Sequence, residues 1–269
     1  MSFDLEALGR PTDEHRYAVT ESALQAYADA TDDVPGGPVF AAVPAAEAIV
    51  LASRSVASDE VRSRVVHYEQ DFLLRRPLEP GTTAVVQAAP VALLARPSGT
   101  SLVIHVITRD QHGETLNEQY VTEFFRGVEA PMTVGERAPE HAFEADGKPP
   151  LAQVAYGLAL DQTIRYADAS GDHFAIHLDD EFARSVGLPG RIVHGLCTMA
   201  FTGRSVLEAA GVEDPRAIRR LAVRFSAPLF PGDTLTTSVW ELGGGKYGFV
   251  AAGPDGTPVI KDGRAELLR

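Results

Sequence analysis

The sequence predicts an α+β fold that occurs twice in one chain, and an internal repeat is the first observation behind this prediction. Residues 27–33 read YADATDD and residues 166–172 read YADASGD, at an offset of 139. Residues 77–81 and 228–232 read PLEPG and PLFPG, at an offset of 151. The second observation is that each copy contains one long helical pattern and four strand-like runs. A long helix against antiparallel strands is an α+β layer arrangement, so we expect two such layers in tandem.

The first copy opens with a short strand-like run at about 15–19. Thr20 can cap the helical stretch that ends in the YADATDD block. A longer helix is predicted over about 44–56, where Pro44 is tolerated near the helix start. Apolar runs bounded by turn residues then predict four strands. These strands cover about 64–74, 83–94, 101–109 and 114–126.

The second copy has the same order of elements. A strand is predicted at about 151–156, followed by a helical stretch that ends in the YADASGD block. Apolar residues at near-helical spacing predict a long helix over 195–210, and Gly211 ends it. Glycines at 243–245 and the Pro-Asp-Gly sequence at 254–256 are turn residues. The predicted strands cover about 219–228, 233–242, 246–253 and 258–267.

The stretch between the copies, 127–150, has little periodicity and contains four prolines, which is typical of a linker. We therefore predict three parts: an N-terminal domain at 1–126, a linker at 127–150 and a C-terminal domain at 151–269. The two offsets differ by 151 − 139 = 12, so the second copy carries 12 extra residues between its two matching blocks. These extra residues fall after the YADASGD block and before the long helix.

Charge and composition narrow the class of protein. The 269-residue chain has a net charge of −13 at pH 7, which disfavours nucleic acid as a partner because its binders need a basic face. Cys197 is the one cysteine, as expected for a reducing compartment. The N-terminal segment has no apolar leader, the last residues are not a peroxisomal address, and we expect no run to be long enough to span a membrane. We therefore expect a cytoplasmic protein without a membrane partner.

Asp172 and His177 are the candidate acid–base pair. A carboxylate and an imidazole five residues apart, in a segment flanked by Gly171, can hold one water molecule and exchange protons with a substrate. Histidine titrates near neutral pH and can act in either direction. At the offset of 139 the first copy keeps an aspartate, Asp33, but has Pro38 in place of His177, which suggests one site per chain. The alternative is a turn aspartate and a buried structural histidine.

Gly195 is the second candidate element of the site. At the start of the predicted helix its N–H has no intrahelical acceptor, and the helix dipole favours negative charge there. Such a donor can stabilise an enolate-like oxygen. The alternative is that glycine is needed for close packing or for a tight turn.

A metal site is not predicted. His173 and His177 are four residues apart and could bind zinc with Asp172 or Asp179 if they lay on a helix. The residues around them indicate a loop instead, and no third ligand is clear. Cys197 is predicted to be a buried helical thiol and not a nucleophile.

Two segments of the sequence resemble a known family. Residues 166–183 (YADASGDHFAIHLDDEFA) resemble the hydratase motif of MaoC-like proteins, and residues 192–198 (IVHGLCT) resemble the hydratase 2 unit of peroxisomal multifunctional enzymes. The resemblance implies a tandem hot-dog fold, with a long central helix wrapped by an antiparallel sheet in each half. It also implies reversible hydration of trans-2-enoyl-CoA to (3R)-3-hydroxyacyl-CoA, with Asp172 and His177 catalytic and the Gly195 N–H on the thioester oxygen. An acyl-CoA substrate, no further cofactor and a homodimer are expected.

The sequence departs from the family motif at Phe174-Ala175, where the family usually has Asn-Pro. Two other functions therefore stay open: a dehydratase of carrier-protein or polyketide thioesters, and a non-catalytic subunit that binds acyl thioesters. Thioesterase chemistry is a further possibility on this fold. The CoA phosphates would need cations, and the candidates are Arg184, Arg191, Arg219, Arg220, Arg224 and the pair Arg75-Arg76, each of which has a solvated surface role as its alternative.

Overall fold

The computed structural model describes residues 3–268 and divides into two compact units. Among the described residues, the first unit contains those up to 19 and 44–140, and the second contains 20–43 and the residues from 141 onwards. The segment 20–43 belongs to the first copy in the sequence but clusters with the second half of the chain. The three-part domain division over 1–126, 127–150 and 151–269 remains a prediction about the two copies.

The described residues form ten strands and six α-helices. In chain order they are β1 (His15–Ala18), α1 (Glu21–Ala30), α2 (Ala42–Val56), α3 (Asp59–Arg62), β2 (Val65–Leu74), β3 (Thr83–Arg96), β4 (Gly99–Arg109), β5 (Thr115–Arg126), β6 (Ala152–Gly157), α4 (Gln162–Ser170), α5 (Asp180–Ser185), α6 (Gly195–Ala210), β7 (Ile218–Phe225), β8 (Thr234–Gly243), β9 (Lys246–Ala252) and β10 (Pro258–Leu267). Every predicted strand and long helix is confirmed to within a few residues at its ends. The short helices α3 and α5 were not predicted, because they are too short to show a periodic pattern.

The two units have the same strand order. In the first unit the order is β1-β3-β4-β5-β2, and in the second it is β6-β8-β9-β10-β7. All described pairings within each unit are antiparallel. In both units the first strand lies beside the third and the second strand lies beside the fifth. The repeat inferred from two short sequence blocks therefore extends to the topology of the sheet, and the predicted α+β class is confirmed.

The long helix α6 packs against the sheet of the second unit and contacts all five of its strands. Ten of its 16 residues are buried, which accounts for the near-helical spacing of apolar residues in the sequence. At Gly203 a Cβ atom would lie 3.1 Å from Leu221 Cδ2 of β7, so glycine permits a close approach of helix and strand. Gly211 ends the helix with φ of 69°, as predicted.

Helices α1 and α4, which end in the two YADA blocks, pack against each other within the second unit. The hydroxyls of Tyr27 and Tyr166 are 3.1 Å apart and their rings make an edge-to-face contact with centroids 5.5 Å apart. Gln162 Nε2 donates to the carbonyl of Ala30 at 2.6 Å. Thr20 caps α1 by accepting from the Ala23 N–H. The buried contacts of Tyr27 and Ala30 with α4 explain why 20–43 clusters with the second unit.

One sequence expectation needs correction. The segment Pro38–Val56 is 19 residues long with a mean hydropathy of 1.5, which is enough by length and composition to cross a membrane. Within that segment, 56% of the most apolar window is buried inside the protein. The buried residues of α2 include Ala45, Ala48, Ala52 and Val56, at the spacing of a helix that packs against a protein core. The absence of a membrane partner remains a prediction.

Candidate active site

The loop that carries Asp172 begins where α4 ends. Gly171 has φ of 79° and its N–H bonds to the carbonyl of Ala167 at 2.8 Å, which closes the helix in the left-handed conformation that favours glycine. The Asp172 N–H then donates to Ser170 Oγ at 3.2 Å, and Asp172 Oδ1 accepts from the Phe174 N–H at 3.2 Å. Because the carboxylate bonds to its own loop, its direction is set locally while the residue stays exposed.

His177 lies at the end of a single 3₁₀ turn, Ala175–His177, where the sequence predicted a loop. The His177 N–H donates to the Phe174 carbonyl at 3.0 Å, and the Asp179 N–H donates to the Ala175 carbonyl at 2.8 Å. Asp179 then caps α5 with its side chain. Helix α5 falls within the segment where the second copy carries its 12 extra residues.

The imidazole of His177 is held in one tautomer. Its Nδ1 lies 2.8 Å from the carbonyl of Ile192. A carbonyl oxygen only accepts hydrogen bonds, so Nδ1 carries the proton and Nε2 keeps a lone pair. Burial lowers the pKa of His177, and this effect outweighs the opposing influence of the Ile192 carbonyl and the Asp172 carboxylate. The structure therefore gives His177 a neutral ring with a basic Nε2 near pH 7.

His194 is a site residue that the sequence reasoning missed. It is 2% exposed, and its Nε2 lies 3.0 Å from the backbone carbonyl of Asp172. Its ring stacks on that of His177, with centroids 3.7 Å apart and an interplanar angle of 24°. Burial, with the neighbouring His177 second, lowers the pKa of His194 to about 4. The signal in the sequence was its position directly before Gly195 in the IVHGLCT block.

Gly195 is the first residue of α6, as predicted. Its N–H has no acceptor within the helix. A Cβ atom at this position would lie 3.1 to 3.4 Å from three ring carbons of Phe225. The packing alternative is therefore supported: glycine lets the helix start approach the Phe225 ring. The same close approach determines where the Gly195 N–H lies.

Asp172, His177 and His194 lie close enough to share one small ligand. A carboxylate oxygen of Asp172 and one ring nitrogen from each histidine are all within 4.8 Å of one another. Two hydrogen bonds of ordinary length that meet at one water oxygen span about 4.5 Å. A single water molecule can thus bond to the Asp172 carboxylate and a ring nitrogen of His177 together. The predicted pairing of these two residues is a pairing in space as well as in sequence.

The same three residues are a poor fit to a metal ion. The lone pairs of imidazole lie in the ring plane, and a metal ligated by two histidines must lie in both planes about 2.0–2.1 Å from each nitrogen. The rings of His177 and His194 are stacked and nearly parallel, so their planes do not meet close to both nitrogens. The other nitrogen of each ring faces a backbone carbonyl. A bound water suits this arrangement better than a metal ion does.

The corresponding segment of the first copy lacks the imidazole. Pro38, at the offset of His177, begins a 3₁₀ turn over Pro38–Ala41 that leads directly into α2. Asp33, at the offset of Asp172, has a raised pKa because it is partly buried, against the lowering effect of the Val34 N–H and Arg204. Segment 20–43 contains no histidine. The acid–base chemistry predicted from the residues therefore belongs to the second copy.

Phe174-Ala175, the departure from the family motif, is accommodated in the loop. The ring of Phe174 makes an edge-to-face contact with Phe182 of α5, with centroids 5.8 Å apart. The backbone carbonyls of both residues accept hydrogen bonds from the turn that follows. Phe174 remains 57% exposed. Its ring packing and backbone bonds hold the loop without the polar side chain of the usual asparagine.

Most of the candidate cations for CoA phosphates are paired with carboxylates inside their own unit. Arg76 lies 2.7 Å from Asp110, and Arg224 lies 2.6 Å from Asp262. The other two pairs are Arg75 with Glu118 at 3.3 Å and Arg220 with Glu266 at 3.8 Å. Arg191 donates to the backbone carbonyl of Leu160 at 3.3 Å, and Arg184 is exposed at the end of α5. A phosphate-binding role for any of them remains a prediction.

The buried histidine should make stability depend on pH. His194 ordinarily titrates near pH 6.5, and its pKa in the fold is about 4. Between these values the unfolded chain binds a proton that the folded protein does not, so stability falls as the pH falls. We expect His194 to contribute a loss of about 2–3 kcal/mol between pH 7 and pH 4.5. Urea unfolding of the wild type and His194→Gln at both pH values measures the difference.

His177, Asp172 and His173 interact electrostatically with His194 and are present in both proteins. An equal loss of stability in wild type and His194→Gln would contradict the prediction.

Residues 142–253 match the family model of the MaoC like domain. Over 192 residues the chain is 29% identical to the peroxisomal enoyl-CoA hydratase 2 of Arabidopsis thaliana, which covers 67% of this chain and 61% of that protein. Over 198 residues it is 29% identical to the peroxisomal multifunctional enzyme type 2 of Drosophila melanogaster, covering 72% of this chain. The chain spans only 33% of the length of that multifunctional enzyme.

Solved structures show the same fold. A MaoC-like dehydratase from Phytophthora capsici has a TM-score of 0.84 at 23% identity, and the match covers 98% of both chains. A conserved hypothetical protein from Mycobacterium tuberculosis, described as a double hotdog fold, has a TM-score of 0.66 at 14% identity and covers 97% of this chain and 96% of that one. These likenesses confirm the predicted tandem hot-dog fold.

Proposed function

We propose that the protein reversibly hydrates trans-2-enoyl-CoA to (3R)-3-hydroxyacyl-CoA, because its residues 142–253 match the family model of the MaoC like domain. One observation carries the proposal. The Asp172 carboxylate and the His177 imidazole are close enough for one water molecule to bridge them. The loop that carries Asp172 is also hydrogen-bonded to His194, the residue directly before Gly195. This is the set of groups that addition of water to an α,β-unsaturated thioester requires.

The proposed reaction divides the work between these groups. The Asp172 carboxylate accepts one hydrogen of the water and orients its oxygen towards C3 of the substrate. His177 Nε2 removes the other proton as the C–O bond forms, and it then delivers this proton to C2 of the enolate. The pair therefore ends each turnover in its starting protonation state. Positioned proton transfer of this kind accelerates a reaction by about 10²–10⁴-fold.

The Gly195 N–H acts on the carbonyl oxygen of the thioester. Negative charge develops on this oxygen when water adds to C3, and it is lost again when C2 is protonated. A backbone donor at a helix N-terminus stabilises that charge without reorganising. The thioester itself makes the α-carbon acidic, so the proposal requires no metal and no redox cofactor. We also propose that the enzyme acts as a homodimer in the cytoplasm.

Purified protein with a series of trans-2-enoyl-CoA substrates tests the proposal. The expected result is consumption of the enoyl thioester and formation of the (3R) alcohol, identified by chiral chromatography, with activity that survives dialysis against a chelator. The same acyl groups on acyl carrier protein form a second arm. If only the carrier-protein thioesters are turned over, the substrate of the enzyme is carrier-bound and not CoA-bound. No turnover of either form at any chain length would reject the hydratase function.

A further inference from the structure

His194 connects three parts of the candidate site within the second unit. Its Nε2 lies 3.0 Å from the backbone carbonyl of Asp172, so the ring N–H donates to the loop that carries the carboxylate. Its ring stacks on the imidazole of His177. The next residue in the chain is Gly195, which begins α6. One side chain thus contacts both members of the acid–base pair and adjoins the helix N-terminus.

The ring of His194 is itself held firmly. It contacts the ring of Tyr166, with centroids 4.8 Å apart. The backbone carbonyl of His194 accepts from the Thr198 N–H in the first turn of α6 at 3.0 Å. One residue earlier, the Val193 N–H donates to the Leu229 carbonyl at 2.8 Å. His194 therefore has the restrained position that a support for other side chains needs.

Asp172 depends on this support more than its neighbours in the loop do. Its described hydrogen bonds to Ser170 and Phe174 lie within the loop itself. The bond from His194 reaches the loop from another element, 22 residues further along the chain. Without it, Asp172 has no described hydrogen bond to another element, and the links of Ile176 and His177 with Ile192 lie four and five residues further along the chain. A misplacement of about 1 Å in a catalytic group can cost about 100-fold in rate.

From these contacts we infer that His194 is the positioning residue of the site, whose ring N–H fixes the backbone of Asp172 relative to His177 and Gly195. The inference rests on the proposed function for its kinetic consequence. The Nε2–H of His194 is committed to the Asp172 carbonyl, and we assign proton exchange with the substrate to His177 and not to His194. Its contribution is the N–H donor and the flat ring.

Two substitutions separate these contributions. His194→Gln places an amide N–H near the position of the ring Nε2–H, whereas His194→Phe keeps a flat ring that can stack on His177 but has no donor. We expect His194→Phe to lower kcat at least 30-fold with KM changed less than threefold, and His194→Gln to retain at least a third of wild-type kcat. His173→Gln is the matched control, because His173 is in the same loop but exposed and bonded to Asp168; its kcat should change less than twofold.

A second measurement does not require turnover. Hydrogen exchange at the backbone amides of Asp172 and Phe174 reports on the loop, and we expect it to accelerate at least tenfold in His194→Phe but not in His194→Gln. If His194→Phe does not fold, His194→Met, which has a similar volume and no donor, takes its place.

Loop exchange equal to wild type in the variant without a donor would overturn the inference, as would equal kinetic losses in the Gln and Phe variants. Absence of turnover in the wild type would reject the proposed function, and the exchange rates would still decide the role of His194.

Discussion

Substitution of Asp172 by asparagine, or of His177 by asparagine or alanine, should lower kcat for hydration by about 10²–10⁴-fold with little change in KM. Asp172→Asn keeps an oxygen that can accept from the Phe174 N–H but removes the charge that orients the water. His177→Asn can keep a donor to the Ile192 carbonyl while it removes the basic Nε2. Asp172→Asn and His177→Asn therefore remove the groups that act on the water molecule but preserve the local hydrogen bonds. Initial rates with a trans-2-enoyl-CoA provide the measurement.

The two losses should not add. If Asp172 and His177 act on one water molecule, the double variant should be about as slow as the slower single variant.

The pH dependence of kcat/KM is a second test of the site. Burial lowers the pKa of His177, so the acidic limb of the wild-type profile should lie below about pH 6.5. Turnover that is unaffected by either single substitution would contradict the assignment of the site, even if the hydratase activity itself is present.

Gly195→Ala should lower kcat by about 10- to 100-fold, the cost expected when a catalytic group is displaced by a fraction of an ångström to 1 Å. The new Cβ atom would lie 3.1 Å from the ring of Phe225, so the helix start or the ring must move. Movement of the helix start displaces the N–H that is proposed to bind the thioester oxygen. The double variant Gly195→Ala/Phe225→Leu removes part of the obstructing ring and should recover activity. Steady-state kinetics of the two variants and Phe225→Leu make this test.

Gly203→Ala is the matched control for this prediction. It crowds the same helix to the same extent, with a Cβ atom 3.1 Å from Leu221 Cδ2, but it lies in the helix interior and away from the proposed substrate contact. We expect an effect on thermal stability and less than a twofold change in kcat. A Gly195→Ala enzyme with wild-type kcat would show that the position of this N–H does not limit the reaction.

Much of the fold follows from local sequence patterns. The repeat of the YADA block, the apolar spacing over 195–210 and the turn residues at 243–245 predicted elements that the structure confirms to within a few residues. These patterns are readable because helix and strand periods, caps and turns depend on neighbouring residues. The short helix α5 escaped prediction because six residues do not display a period.

Only part of the candidate site could be predicted from the sequence. The spacing of Asp172 and His177, and the absence of a histidine at Pro38, already indicated one acid–base pair in the second copy. The role proposed for His194 could not be predicted from the sequence, because a histidine that precedes a helix can face solvent, the core or a neighbouring loop. Its contacts with Asp172 and His177 join residues 22 and 17 positions apart along the chain, and no local pattern encodes such contacts.

The sequence by itself thus determined the tandem α+β architecture, the order of its strands and helices, and the residue types available for chemistry. Only the tertiary structure decided that α1 packs against α4 within the second unit, that the Ile192 carbonyl selects the tautomer of His177, and that the Phe225 ring leaves little room for a side chain at position 195. The physical reason is the same in each case. Local propensities act over a few residues, whereas the direction of a proton or the space beside a helix depends on partners brought together by packing of the whole unit.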